Sequence, residues 1–590
     1  MRDVDYEVTR THQMVWPKLL RKEIRGVETL RIESLDRVAL SDVNGQCLRW
    51  NGLRELILHF SNAFNMFPGP WHPDQSSPIF DLRIALPNLT LLDITSHTPI
   101  ITDIFFAHLP PNLQTLVLGG RHKVFLASFA KLPASLTKLH LDSRVTIDHD
   151  ISEAEQANMD VSLPPNLTYL HLDEVEELLA KPLFSGGLPL LSHLEHISAR
   201  PYGYVSNDVI AKLPLKTLRT RFKFEESESA SWPLFLPRSL TSVDMVLLYS
   251  RYPNASPFHA LLALPRTLLK LEVTVFRFDP RLTPALPPSL ESLIVDSYSP
   301  FQFEEDFVQL PTGLRYLNAS TMALKPRQKL TCDSLTSLRI NSLDMPHCLP
   351  SSLTSIHVSK VRMCDNAEEN VIGEETMNDF LQLRQLRSFK VREAMAWPMF
   401  EKSDVKSFPF PDSLRQLHTT TLKVMRGQAG FDAMQLPPHL EQLTVHQELI
   451  DENTMKEVVR PMETLKRLIC RTAANDANAL LWLPTRLVSL SYKTGSVTDV
   501  HIAALPRSLE LLEIYSESEM QVKVTRPDLA QLFPPMLWKL WIPKTNLFPS
   551  ELDVTLDEAK RYAFMLPKTL RRFCIGWHPC TPTWWTSIME

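Results

Sequence analysis

The stretch LPPNLQTLVL, from Leu109 to Leu118, decides how this 590-residue chain folds. Aliphatic residues occupy its first, fifth, eighth and tenth positions. Because side chains alternate between the two faces of a strand, Leu116 and Leu118 point to one face and Val117 points to the other. The proline fixes φ and offers no N–H to a sheet, so it suits a turn that leads into the strand. The stretch therefore predicts a turn followed by a short strand with one buried face.

The same order of residue types recurs along the chain. Copies begin at Leu132, Leu163, Leu236, Leu264, Leu286, Leu310, Leu349, Phe410, Leu436, Leu483, Leu505, Phe533 and Leu566. With degenerate copies such as GVETLRIES and METLKRLIC, the chain holds about 22 units with a mean spacing of about 26 residues. One such strand cannot bury its leucines alone, so neighbouring units are expected to stack into a parallel sheet over one continuous core.

The LPxxLxxLxL pattern resembles the repeats of leucine-rich-repeat proteins and is similar to those of bacterial leucine-rich-repeat effectors and FNIP-repeat proteins. The resemblance covers roughly Val27 to Ile575. It implies an α/β solenoid, a horseshoe with a parallel β-sheet on its concave face and short helices and turns on its convex face. We expect an N-terminal cap at residues 1–22, the solenoid at 23–576 and a C-terminal cap at 577–590. The asparagine that often follows the strand in such repeats is mostly missing, so no regular asparagine ladder is expected.

Two kinds of segment connect the strands. In Ile101–Leu113 and Val497–Leu509, Thr or Asp precedes apolar residues at i, i+3 and i+4 spacing, which predicts a short capped helix. Longer gaps include the acidic stretch CDNAEENVIGEETMND, from Cys364 to Asp379. Because it is poor in large apolar residues, it is expected to form an exposed loop or helix. Such an insertion is either simply tolerated or a binding element.

The outward strand positions are the candidate binding surface, because the concave sheet is the usual contact surface of a solenoid. Aspartate recurs there in the first half of the chain, and Arg, Lys and His recur in the second half. We therefore expect a surface with acidic and basic ends, suited to a partner of opposite polarity. The candidate partner-binding residues are His140, Asp142, Tyr169, His171, Asp173, Asp244, Arg339, His357, Lys390, Arg392, His418, His446, Arg467, Arg471 and Trp541.

His140 and Asp142, with His171 and Asp173 one unit later, have side chains suited to a metal. Adjacent strands lie about 4.8 Å apart, so the histidines could meet if the two strands are neighbours. The long insertion between these units leaves that adjacency open, and exposed His/Asp pairs are usually solvated. Since GxxxxGK, GxSxG, HExxH and GxGxxG are also missing, the sequence predicts no catalytic residues, metal or cofactor and no small-molecule substrate.

Composition limits the partners and the compartment. The net charge is -5, and Tyr515 and Trp541 are the only aromatic residues well placed to stack on bases in the second half, so nucleic acid is not expected. No apolar run is long enough for a membrane span, and MRDVDYEVTRTHQMVW lacks the apolar segment of a secretory signal. Seven scattered cysteines without a CxxC pair favour a reducing compartment. A cytoplasmic or nuclear protein is expected.

These observations predict an intracellular, noncatalytic scaffold that binds a protein partner through its concave strand face. Family analogy offers one alternative, the substrate-recognition component of a ubiquitin ligase complex. That role lacks its recruiting element, because the residues before the first repeat are too few for an F-box. The 15 residues after Ile575 are likewise too few for a catalytic domain.

Overall fold

A computed structural model describes a large part of the chain. The described residues are 6–9, 28–33, 52–60, 82–96, 103–146, 163–175, 191–201, 210–224, 236–249, 264–275, 278, 283, 286–297, 301–302, 307–324, 329–344, 349–362, 371–372, 381–392, 399–400, 410–419, 423–426, 430–433, 436–446, 450–494, 496–515, 521–523, 529–542, 567, 569–570 and 572–575. The chain divides into two compact units, Met1–Asp296 (unit 1) and Ser297–Glu590 (unit 2).

Unit 1 is built on parallel strands that follow one another in chain order. The strands are β1 (Tyr6–Thr9), β2 (Thr29–Glu33), β3 (Glu55–Phe60), β4 (Leu91–Ser96), β5 (Thr115–Phe125), β6 (Lys138–Thr146), β7 (Tyr169–Val175), β8 (His196–Pro201), β9 (Thr217–Phe224), β10 (Ser242–Tyr249), β11 (Lys270–Val275) and β12 (Ser292–Ser297). Each strand from β1 to β10 pairs in parallel with the next. The predicted parallel sheet is therefore confirmed in this unit.

Unit 2 repeats this arrangement and adds small side sheets. Its strands are β13 (Phe301–Gln302), β14 (Phe307–Gln309), β15 (Tyr316–Leu324), β16 (Lys329–Thr331), β17 (Ser337–Asp344), β18 (Ser355–Arg362), β19 (Val371–Ile372), β20 (Ser388–Val391), β21 (Met399–Phe400), β22 (Gln416–Thr419), β23 (Lys423–Arg426), β24 (Gly430–Ala433), β25 (Gln442–Val445), β26 (Arg467–Asn475), β27 (Ser489–Thr494), β28 (Ser496–Thr498), β29 (Leu511–Tyr515), β30 (Gln521–Lys523), β31 (Lys539–Ile542) and β32 (Arg572–Ile575). Its main parallel ladder runs β15-β17-β18-β20-β22-β25-β26-β27-β29-β31-β32. Parallel pairs β14–β16, β19–β21 and β28–β30 and the antiparallel hairpin β23–β24 lie beside it.

Leucine columns form the core under the ladder. Leu116, Leu139 and Leu170 are register partners on three consecutive strands, and each is 0 % exposed. Full burial of such a side chain stabilises the fold by about 1.5–3 kcal/mol. The strand residues between them, such as His140, lie on the other face. The alternation predicted from Leu116, Val117 and Leu118 is thus confirmed.

A tight turn precedes many of the strands of the two main ladders. The proline carbonyl accepts a hydrogen bond from the amide of the leucine three residues later, as in Pro110 with Leu113 (3.2 Å) and Pro133 with Leu136 (3.0 Å). In these units the proline thus begins the turn and stands before the strand, where its missing N–H interrupts no ladder bond.

Hydroxyl groups join one coil to the next at the fourth position of the repeat. Ser135 Oγ donates to the carbonyls of Pro111 and Leu113, each at 2.7 Å. Equivalent bonds are made by Ser239, Thr267, Ser289, Ser334, Ser352, Ser413, Thr464, Ser508 and Thr569. We call this set the hydroxyl ladder. It supplies hydrogen bonds from one coil to the preceding coil.

Helices are short. The α-helices span Leu82–Ala85, Asp103–Ala107, Glu452–Thr454, Asp499–Ala503 and Leu529–Leu532, two 3₁₀-helices span Leu126–Lys131 and Ala477–Trp482, and one π-helix spans Met455–Val459. The two helices predicted from the capped apolar spacing are confirmed at Asp103–Ala107 and Asp499–Ala503. Among the helices of the described residues, none is both long and apolar enough to cross a membrane.

Three further predictions meet the structure only in part. In the acidic insertion, Val371–Ile372 forms a strand paired with Met399–Phe400, so the loop or helix expected there is wrong at this point. The remainder of the insertion lies outside the described residues, as does the C-terminal cap at 577–590. Within the expected N-terminal cap, Tyr6–Thr9 pairs in register with β2. The domain boundaries stay predictions.

Candidate functional site

Two imidazoles and a carboxylate meet on the outward face of unit 1. The register pairs His140 on β6 directly with His171 on β7, which answers the question that the intervening insertion left open. Asp142, two residues after His140, points to the same face. Its Oδ1 atom lies 2.9 Å from Nε2 of His140 and 2.9 Å from Nε2 of His171. We call these three residues the His–Asp cluster.

Aromatic contacts surround the cluster. The two imidazole rings stack with centroids 4.1 Å apart, and the His140 ring lies 6.3 Å from that of Tyr169. On its other side Tyr169 lies 6.0 Å from the His196 ring and carries the Lys138 ammonium 4.9 Å above its own ring. In this hydrogen-bonded arrangement the two imidazoles lie nearly parallel, at 24° to one another.

The two histidines differ in exposure. The His140 side chain is 24 % exposed and that of His171 is 9 % exposed, while Asp142 is 49 % exposed. Burial lowers the pKa of His171, and the neighbouring His140 lowers it further, against the opposing effect of Asp142. Of the three side chains, that of His171 is thus the most buried and that of Asp142 is the most exposed to solvent.

Other predicted site residues of unit 1 have separate partners. Asp244 Oδ2 lies 2.8 Å from Nε of Arg219 on the preceding strand, so these two side chains form an ion pair on the outward face. Asp173 follows on β7 and interacts electrostatically with His171. The acidic residues predicted in the first half are thus matched by cations or imidazoles nearby.

In unit 2 the register lines up cations on consecutive strands. Arg339, His357, Lys390 and His418 are successive partners on β17, β18, β20 and β22. Arg392 lies two residues after Lys390, on the same outward side. We call these five residues the cationic cluster. They were all predicted as site residues, and the structure brings them together.

The histidines of this cluster sit in a strongly positive field. Burial and the charges of Lys390 and Arg339 lower the pKa of His357 to about 4. Burial and Lys390 also lower the pKa of His418 to about 4. Burial and Lys390 lower the pKa of His446 as well. At neutral pH the lasting positive charge therefore resides on Arg339, Lys390 and Arg392, and the imidazoles between them are neutral.

Acid should destabilise unit 2 through these two histidines. The pKa of each is lower in the folded chain than in the unfolded chain, so the unfolded chain binds more protons as the pH falls from 6.5 towards 4. Stability present above pH 6.5 is lost across that window. The double variant His357→Gln/His418→Gln should therefore lose less free energy of unfolding than the wild type when the pH falls from 7 to 4. Because both side chains are partly exposed, we expect a difference of about 2 kcal/mol. Urea unfolding at the two pH values measures this difference.

The exposed His439 provides the matched control for this acid effect. The variant His439→Gln should keep the acid sensitivity of the wild type. Equal acid sensitivity in the wild type and the double variant would contradict the assignment.

The later strands of unit 2 carry an ion network that the sequence did not reveal. Glu513 has an 8 % exposed side chain and bonds to Arg471 and, at 2.8 Å, to Lys539 Nζ. Burial opposes ionisation, but the bond from Lys539 and the charge of Arg471 hold the pKa of Glu513 below its usual value. The positive charge of Arg471 is therefore balanced by a carboxylate, whereas Arg339 and Lys390 have no ion pair within the part of the chain that the structure describes.

Trp541 lies near this network, whereas Arg467 lies close enough to His418 to lower the pKa of that imidazole, after burial and other charges. Tyr515 stacks beneath the Arg471 guanidinium at 4.8 Å and has its ring 5.9 Å from that of Trp541. Arg467, at the start of β26, is exposed. Sequence reasoning selected Arg471 and Trp541 but missed Glu513. The signal for Glu513 was its outward position in LPRSLELLEI, between the two strands that supply its cations.

Comparison with known proteins yields structures alone. No protein-family model matches the sequence, and no curated protein matches it. Solved structures that match include a circular leucine-rich-repeat protein, CroV588, with 16 % identity, 95 % of this chain and 77 % of that chain covered, and a TM-score of 0.45. YopM from Yersinia enterocolitica WA-314 matches with 15 % identity, 94 % of this chain and 85 % of that chain covered, and a TM-score of 0.29. The plant peptide hormone receptor RGFR1 in complex with RGF2 matches with 12 % identity, 92 % of this chain and 80 % of that chain covered, and a TM-score of 0.28.

The repeat and the strand register decide the fold, since TM-scores this low add nothing to it. The fold is that of a leucine-rich-repeat solenoid. In such a solenoid the outward strand residues are the positions free to meet another molecule, because the inward ones fill the core. Both the His–Asp cluster and the cationic cluster occupy such positions.

Proposed function

We propose that this chain is a noncatalytic protein-binding solenoid whose unit 2 strand face binds an acidic segment of a partner protein. One observation carries the proposal. Within the described residues no carboxylate forms an ion pair with Arg339, Lys390 or Arg392. Three cations on one face, two of them half-buried, leave a positive field to be compensated from outside.

The contrast with other cations of the chain strengthens this reading. Arg219, Lys216, Lys466, Arg471 and Lys539 each have a carboxylate within 3.0 Å. These five cations are paired with carboxylates, whereas the arginines and the lysine of the cationic cluster have no such pair among the described residues. Burial first, and then the charge of Lys390, lower the pKa values of His357 and His418 to about 4.

The spacing of the cluster suits an extended partner segment. Arg339 and Lys390 lie two strands apart, which corresponds to about 10 Å. An extended chain covers that distance in about three residues. Acidic residues spaced three apart and running across the strands would meet both cations, and the neutral imidazole of His357 between them can donate or accept a hydrogen bond.

Polyglutamate of about 15 residues is a direct probe of this surface. Fluorescence anisotropy should show salt-dependent binding to the full chain. The triple variant Arg339→Glu/Lys390→Glu/Arg392→Glu should bind at least about 10-fold more weakly and with a reduced salt dependence, because three attractive charges become repulsive.

A matched control changes net charge by the same amount elsewhere in unit 2. The control residues are exposed and lie in the segments that precede the strands: Arg315, Arg384 and Arg486. Changing all three to Glu should weaken polyglutamate binding by less than about 3-fold, because none of them belongs to the cationic cluster. An equal loss in both triple variants would show that net charge alone matters. Tighter binding of a single-stranded DNA oligonucleotide than of polyglutamate would overturn the proposal in favour of nucleic acid.

A further inference from the structure

The His–Asp cluster of unit 1 has the chemistry and the geometry of a metal site. We propose that His140, Asp142 and His171 bind one divalent transition-metal ion of the zinc type, through the Nε2 atoms of the two histidines and a carboxylate oxygen of Asp142. The proposal concerns unit 1 and is independent of the binding surface proposed for unit 2.

The ligand atoms already converge. All three lie within 4.8 Å of one another, and Oδ1 of Asp142 is 2.9 Å from each Nε2. Zinc bonds of about 2.0–2.2 Å in tetrahedral geometry place ligand atoms about 3.3 Å apart. Movements of under about 1 Å, together with a rotation of the imidazole rings out of their stack so that both in-plane Nε2 lone pairs point at the ion, bring the three atoms around it. No rearrangement of β6 or β7 is needed, because the register itself pairs His140 with His171.

The donor types fit a borderline-soft cation. Imidazole nitrogen suits zinc and its neighbours in the first transition series, and carboxylate oxygen completes sets of two nitrogens and one oxygen in zinc proteins. In the described part of unit 1, the bonds to Oδ1 of Asp142 come from these two imidazoles. Among the cations whose side chains the structure describes, Lys138 lies over the Tyr169 ring and Arg219 pairs with Asp244.

Burial gives the cluster a closed floor and an open side. His171 and the stacked rings of His140 and Tyr169 hold the ligands from below, while Asp142 is half-exposed. Three protein ligands leave a fourth position on the solvent side for water or for a donor atom of another molecule.

An independent observation lies on the next strand. Ser198, the register partner of His171 on β8, is 9 % exposed, and its hydroxyl has no hydrogen-bond partner among the described residues. A buried hydroxyl without a partner costs free energy, and such groups in folded chains call for an explanation such as an ion or an ordered water.

Zinc and cobalt titrations of the full, chelator-treated chain test the proposal. Isothermal titration calorimetry should show one Zn²⁺ bound with a dissociation constant of about 10 µM or tighter, and Co²⁺ should give the intense visible absorption of a low-coordinate site. The double variant His140→Gln/His171→Gln should bind Zn²⁺ at least about 100-fold more weakly.

Two further variants separate loss of ligands from loss of folding. Asp142→Asn keeps an oxygen that accepts from both imidazoles but removes the ligand charge, and it should weaken Zn²⁺ binding about 10-fold or more at unchanged thermal stability without metal. His357→Gln/His418→Gln removes two histidines from unit 2 and should bind Zn²⁺ as the wild type does. Equal Zn²⁺ affinity of the wild type and His140→Gln/His171→Gln would overturn the proposal. The cluster would then serve only as hydrogen bonds that hold the two strands in register.

Discussion

Replacing Asn475 by leucine should destabilise unit 2 by about 3–5 kcal/mol. Asn475 is 5 % exposed, its Oδ1 accepts from Ile450 N at 2.8 Å, and its Nδ2 donates to the carbonyls of Lys493 (2.9 Å) and Cys470 (3.3 Å). Leucine has a similar volume but removes all three hydrogen bonds from a buried site, and a buried polar group that loses its bond costs about 1–3 kcal/mol.

Hydrogen exchange measured by mass spectrometry localises the Asn475 effect. Amides in 467–494 should exchange at least about 100-fold faster in the variant, since about 2.7 kcal/mol corresponds to that factor. Asn166→Leu is the matched control, because Asn166 is exposed and makes one 3.3 Å bond to Ala134 O. A wild-type exchange rate in 467–494 of Asn475→Leu would show that these bonds add little.

Replacing Phe389 by alanine should lower the free energy of unfolding by about 3–5 kcal/mol. Phe389 is 0 % exposed and lies between Ile356 and Leu417 in the register, on the strand whose outward residue is Lys390. The lost ring leaves a cavity directly beneath the cationic cluster. Polyglutamate affinity should therefore fall together with the free energy of unfolding, because the strand that holds Lys390 loses its support.

The variant Phe389→Leu is the control for this cavity. Leucine is the usual residue at this repeat position, so the loss should be about 1–1.5 kcal/mol and the affinity should change little. Urea unfolding and anisotropy on the same preparations compare the two variants. If the alanine variant loses less than the leucine variant, the core under β20 does not behave as packed apolar interior.

Much of this fold could be predicted because the repeat encodes it twice. The LxxLxL spacing predicts the buried columns, as Leu116, Leu139 and Leu170 show, and the proline predicts the turn before each strand. The hydroxyl ladder was also present in the sequence, as Ser or Thr before the central leucine in LPASL, LPRTL and LPPSL. It could be read only when the acceptors were known, since they are carbonyls of the preceding coil.

The candidate sites could be predicted as residues but not as clusters. His140 and His171 were selected from alternation alone, while their contact depended on whether the insertion between them separates their strands. The burial of His171 depends on side chains from the two neighbouring repeats, and the alternation within a single repeat does not describe them. The ion pair between Arg471 and Glu513 could not be predicted for the same reason, since the two residues are 42 positions apart in the sequence.

The hydroxyl ladder bears on how a chain of this kind grows. Each serine or threonine at the fourth repeat position reaches carbonyls of the coil before it, and presents its own coil's carbonyls to the next. A gene duplication that copies one whole unit therefore carries a matching donor and acceptor with it. Such a chain can lengthen or shorten by whole coils while every junction keeps the same chemistry, and a break within a unit is the change that leaves a junction unmatched.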